Sequence, residues 1–77
     1  MSKEFLNETE LAALTKKFRK NAGIKRAQAA RDMGVSQTSI FHAEESPEQG
    51  LTKLRTRMIE TYSPFKVTGP VFFLTRK

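Results

Sequence analysis

Residues 26–45, RAQAARDMGVSQTSIFHAEE, constrain this chain more than any other stretch, because they specify two helices and the bend between them. Ala29 and Ala30 are small, so a second helix can approach the first closely. Met33 ends the first helix on its buried side. Gly34 takes a positive φ with no Cβ penalty, as a sharp helix exit requires. Val35 is the apolar residue just past the turn, and Ser36 is a good N-cap for the second helix. Ile40 and Ala43, at i and i+3, share the face of the second helix that meets the first. Gln37, Thr38, Ser39, Phe41 and His42 are left on or near its outer face. The expected spans are 25–33 and 37–45.

This is the pattern of a helix-turn-helix, and the charge of the chain gives it a direction. There are 14 Lys+Arg against 8 Asp+Glu, a net of +6 on 77 residues. Such a balance alone suits any anionic surface. Joined to the motif it points to DNA. Polar side chains at the start of the second helix are what base-edge reading in a major groove needs. That helix has no Lys or Arg and ends in Glu44-Glu45, so neighbouring segments must supply the charge for phosphates. Lys16, Lys17, Arg19, Lys20, Lys25, Arg26 and Arg31 cluster before and within the motif and are the candidates. Glu44, Glu45 and Glu48 read as a small acidic patch, kept from phosphates or facing a basic group on a partner.

Residues 26–46 resemble the helix-turn-helix of the lambda-repressor/Cro (Xre-type) family. The matching residues are Ala29-Ala30, Met33-Gly34-Val35, Ser36-Gln37-Thr38-Ser39-Ile40 and Ala43. The likeness is looser over 7–62, and residues 63–77 match no family pattern. The resemblance implies a mainly α, four-helix lambda-repressor-like domain. It implies that Gln37, Thr38, Ser39 and His42 face bases and that Arg26 and Gln28 face phosphates; from the basic cluster, Lys17 and Lys25 are expected to join them. Phe41 is large and apolar where the family often has a polar residue, and it suits either contact with a thymine methyl or partial burial.

The rest of the chain reads as one small domain around that motif. Residues 1–6 form an arm. Asn7 and Glu10 are spaced as N-cap and N3 of a capping box. Leu11, Leu14 and Phe18 then make one apolar stripe, and Gly23 marks the helix end. After the turn residues 46–50, Leu51, Leu54 and Met58 repeat the stripe on a fourth helix over 51–61, whose exposed side carries Lys53, Arg55 and Arg57. Ser63-Pro64 breaks it. Residues 65–67 and 71–75 flank Thr68-Gly69-Pro70 and predict a C-terminal β-hairpin. Its second strand is apolar on both faces, with Val71 and Phe73 on one and Phe72 and Leu74 on the other. A lone hairpin is marginal in water, so one face packs on the helices and Val71, Phe72, Phe73 and Leu74 are read as a dimerisation element.

Several classes fall away. With no Cys, and His42 as the only histidine, there is no disulfide frame and no set of metal ligands. No carboxylate is spaced to make a triad with His42 and a hydroxyl, so neither an enzyme nor a cofactor is expected. No apolar run nears the ~20 residues of a membrane span, and the first residues lack signal-peptide character, so the expected location is the cytoplasm. The reading is a dimeric, Cro-like repressor that blocks a promoter by occupying double-stranded DNA. Two alternatives accompany it: an antitoxin-like protein that grips both DNA and a partner protein, and a protein-interaction module that does not touch DNA. Stacking of single strands on Phe65, Phe72 and Phe73 ranks below these, because two short strands offer too little sheet.

Overall fold

The computed structural model describes residues 6–69 and 72–77. Four helices come first: α1 (Glu8–Asn21), α2 (Arg26–Met33), α3 (Gln37–Glu45) and α4 (Thr52–Tyr62). A two-stranded antiparallel hairpin of β1 (Phe65–Thr68) and β2 (Phe73–Arg76) ends the chain. None of the described helices is long and apolar enough to cross a membrane. The expectation for the arm over 1–6 falls outside the described residues except at Leu6.

Local chemistry sets the helix boundaries. The Asn7 side chain accepts from the Glu10 amide at 2.8 Å, and the Asn7 amide donates back to Glu10 Oε1 at 2.9 Å. This reciprocal box starts α1. At the other end Gly23 (φ 73°) lets its own amide reach Lys20 O and the Ile24 amide reach Arg19 O. The same device closes α2: Gly34 (φ 71°) donates to Arg31 O, and Val35 donates to Ala30 O at 3.0 Å. Both endings satisfy carbonyls that a helix terminus otherwise leaves open. Lys25 stands just outside α2 as its N-cap, so the helix starts one residue later than the spacing predicts.

The core forms where the helices cross. Ala29, Ala30 and Met33 of α2, Ile40 and Ala43 of α3, and Leu54 and Met58 of α4 make one buried cluster. Ile24, Val35, Leu51 and Tyr62 close around it. Leu11 of α1 is fully buried, while Leu14 and Phe18 are half-buried. Phe18 reaches the hairpin, its ring centroid 6.0 Å from that of Phe65.

Two expectations are overturned. Arg55 does not lie on the exposed side of α4; it is 0 % exposed. Its guanidinium donates to Ala43 O at 2.9 Å, to Ser46 O at 2.8 Å and to Glu8 Oε1 at 2.7 Å. It therefore serves the carbonyls at the C-terminal end of α3, which explains how a cation is held inside. The second correction concerns the hairpin. β2 begins at Phe73, not Val71, and Thr68 pairs with Phe73. Val67 and Leu74 are partners, half-buried on the face that carries Phe65. The opposite face holds Lys66, Thr68, Phe73 and Thr75, with the two threonine hydroxyls 3.3 Å apart. The hairpin is thus mostly apolar on one face, where Arg76 joins Phe65, Val67 and Leu74, and mostly polar on the other, and each face of the second strand carries one apolar and one polar residue. Among the four residues expected to dimerise, Leu74 faces the helices, Phe72 is half-buried in the turn and Phe73 is 38 % exposed. Val71 lies outside the described residues.

Candidate functional site

The site builds outward from the α2–α3 turn. Ser36 sits in extended backbone, and its hydroxyl accepts from the Ser39 amide at 3.1 Å. That cap fixes where α3 starts, and the start fixes which side chains face out. Ile40, Ala43 and Glu44 point inward. Gln37 and Thr38 are exposed, and their side chains make no hydrogen bond to another described residue. Phe41 is 44 % exposed. Ser39 and His42 are half-buried and engaged: Ser39 Oγ lies 3.1 Å from Ser36 Oγ, and His42 Nδ1 lies 2.9 Å from Ser46 Oγ. Of the five residues expected to meet bases, Gln37 and Thr38 stand outward with their side chains unengaged, Phe41 stands outward with the Arg26 guanidinium over its ring, and Ser39 and His42 are tied to the ends of their own helix.

The acidic end of α3 is solvated only at Glu45. Glu44 is 5 % exposed and lies between two guanidiniums. Arg19 Nη2 donates to Glu44 Oε1 at 3.0 Å and Arg19 Nε to Oε2. Arg26 Nε donates to the same Oε1 at 3.0 Å. Arg26 Nη2 also reaches Glu45 Oε2 at 2.9 Å, and Lys16 Nζ reaches that oxygen at 2.7 Å. The Lys16 hydrogen bond, with the charges of Lys16 and Arg26 behind it, holds the Glu45 carboxyl below the usual carboxylate range. Three cations from α1 and α2 thus cover the carboxylates of α3. The ends of α1, α2 and α3 are locked together, and negative charge is withdrawn from the outer face.

Of the cations expected to meet phosphates, Arg19 is buried in this cluster and is unavailable to solvent; this corrects its place among the exposed candidates. Arg26 is paired twice, and its guanidinium lies 5.1 Å from the centroid of the Phe41 ring. Gln28 donates to Asp32 and accepts from Arg31. Lys17 and Lys25 are exposed and have no ion pair among the described residues. Asp32 also accepts from the Tyr62 hydroxyl at 2.6 Å, which with the Gln28 bond lowers its pKa. Burial, joined by the same contact, raises the Tyr62 phenol well above its usual value.

Sequence reasoning missed the buried ions, yet a signal for them existed. Leu11, Thr15 and Arg19 succeed one another at i+4, so Arg19 continues the face that Leu11 buries. Glu44 comes after Ile40 by the same step. Arg55 lies four residues after Leu51 and four before Ile59. Among the described residues no group of His, Asp and Glu could hold a metal ion. Compared with family models, with curated proteins and with solved structures, the chain matches none.

Proposed function

We propose that this protein is a sequence-specific DNA-binding regulator that uses α2 and α3 as a helix-turn-helix of the lambda-repressor/Cro kind. One observation carries the reading: the N-terminal turn of α3 presents Gln37 and Thr38 outward and unengaged, while every carboxylate of that helix is tied back by cations. A helix meant only for packing needs no such clearing of its outer face. A helix that enters a groove between phosphates does, because each exposed carboxylate there would meet like charge.

In this account Gln37 makes bidentate hydrogen bonds to a base edge, with Thr38 beside it. Ser39 and His42 contribute after releasing or sharing their bonds to Ser36 and Ser46. Lys17 and Lys25 contact phosphates and set the register. Arg26 and Gln28 act from behind, through the residues they hold. A homodimer places two such helices in successive major grooves about 34 Å apart, and occupancy blocks a promoter. The available dimer surface is Phe73 and the edge of β2 that lacks a strand partner among the described residues.

The test is Gln37→Ala, with duplex affinity measured on a preferred site and on single-base variants of it. The expected loss is about 1–3 kcal/mol of discrimination at one base pair of each half-site. Unchanged preference and affinity would remove Gln37, and with it α3, as the reader.

A further inference from the structure

Phe41 is one of two large apolar side chains that the described residues leave exposed, and it stands in the middle of the α3 outer face. It lies one helical turn beyond Gln37, so the two share a flank. Its ring is not loose. The Arg26 guanidinium lies over it at 5.1 Å, and the His42 ring meets it edge-on at 5.5 Å. Arg26 is in turn fixed by Glu44 at 3.0 Å and Glu45 at 2.9 Å. A carboxylate-anchored cation therefore holds a phenyl ring at the surface, next to the residue proposed to read a base. A ring fixed in place and partly in water gains free energy when an apolar group covers it. In the major groove the apolar group on a base edge is the 5-methyl of thymine.

We propose that Phe41 is a specificity-determining residue that reads a pyrimidine 5-methyl group, with Arg26 as the residue that positions its ring. The proposal rests on the DNA-binding reading above and adds the chemistry of a second base position, one step along the groove from the pair read by Gln37. It makes the protein sensitive to base modification: 5-methylcytosine presents the same methyl in the same place, while uracil lacks it.

The experiment uses the full chain and a duplex enriched from a random library. Each thymine is replaced by deoxyuridine, one at a time, and affinity is measured by fluorescence anisotropy. At one position per half-site the loss is expected to be about fourfold, the value of one methyl carbon withdrawn from water. At that position a cytosine·guanine pair should regain about the same factor when the cytosine carries a 5-methyl. Phe41→Ala should bind the thymine and uracil duplexes equally. Because the substitution that matters is made in the DNA, the wild-type arm stands even if Phe41→Ala fails to fold. Equal binding of thymine and uracil at every position by the wild-type protein would overturn the methyl assignment while leaving the DNA reading intact. A thymine preference that survives in folded Phe41→Ala would overturn it as well. Failure to enrich any duplex would overturn both.

Discussion

Replacing Glu44 with alanine removes the one anion that two guanidiniums share. The Glu44 side chain is 0 % exposed and that of Arg19 is 9 % exposed. After the change Arg19 keeps only its bond to Ile24 O, and its charge stays inside without a counter-ion. Breaking a buried pair from one side costs about 3–5 kcal/mol. A chain of 77 residues has a total stability of roughly 4–12 kcal/mol at 0.05–0.15 kcal/mol per residue. The loss is thus a large share of the whole. It should lower the thermal midpoint by at least about 12 °C, taking 4–8 °C per kcal/mol for a domain this small. Urea unfolding monitored by far-ultraviolet circular dichroism measures it directly. A double variant, Arg19→Met with Glu44→Leu, should recover most of the loss, because it leaves no unpaired charge in that place and Arg26 still has Glu45. Lys16→Ala, at the solvated end of the same cluster, should change the midpoint little, since its pair is 40 % and 34 % exposed. A Glu44→Ala protein within about 1 kcal/mol of the parent would refute the claim that this ion cluster is buried and joins the three helices.

Single residues elsewhere give further expectations. Gly34→Ala meets no neighbouring atom, so its cost is conformational alone, about 1 kcal/mol for a Cβ at φ 71°, measurable by chemical denaturation. Tyr62 is the only tyrosine, and its phenol holds its proton in the folded state beyond pH 10, where the unfolded phenol releases it. Stability should therefore be unaffected by this group below pH about 10 and should fall as pH rises above it; Tyr62→Phe should flatten that alkaline fall in a series of thermal midpoints. Lys17→Gln and Lys25→Gln should each weaken all duplexes alike and lower the salt slope by about one unit. Arg26→Gln should leave that slope unchanged, because its charge already faces Glu44 and Glu45.

Much of the helical frame was legible in the residues, because each signal was local. The capping box of Asn7 and Glu10, the positive-φ exit at Gly34 and the Ser36 cap depend on residues three or four apart, and they fall where expected. Small residues at Ala29, Ala30 and Ala43 marked the helix crossing for the same reason. What escaped was long-range and ionic. Arg19, Glu44 and Arg55 look like surface residues by type, and only their i+4 periodicity with Leu11, Ile40 and Leu51 places them inside. Their partners lie 25 and 47 positions away, where periodicity carries no information. The hairpin was legible as an element but not in register. Pairing of Thr68 with Phe73 starts the second strand two residues later than expected, and that puts Phe73 on the polar face. On α3, the helical period places Gln37, Thr38 and Phe41 on the exposed side, with Ser39 and His42 half-buried at its edge. It could not show that Ser39 and His42 would bond to Ser36 and Ser46, or that Arg26 would be taken up by Glu44, Glu45 and Phe41.

Whether α3 reads base sequence is decided by selection from a random duplex library at roughly physiological salt. A palindrome whose half-sites repeat about one helical turn, roughly 34 Å, apart should be enriched. Retention of DNA without enrichment, or no retention, would contradict base reading by α3: the first would reduce the interaction to net charge, and the second would leave α3 with no nucleic acid to read.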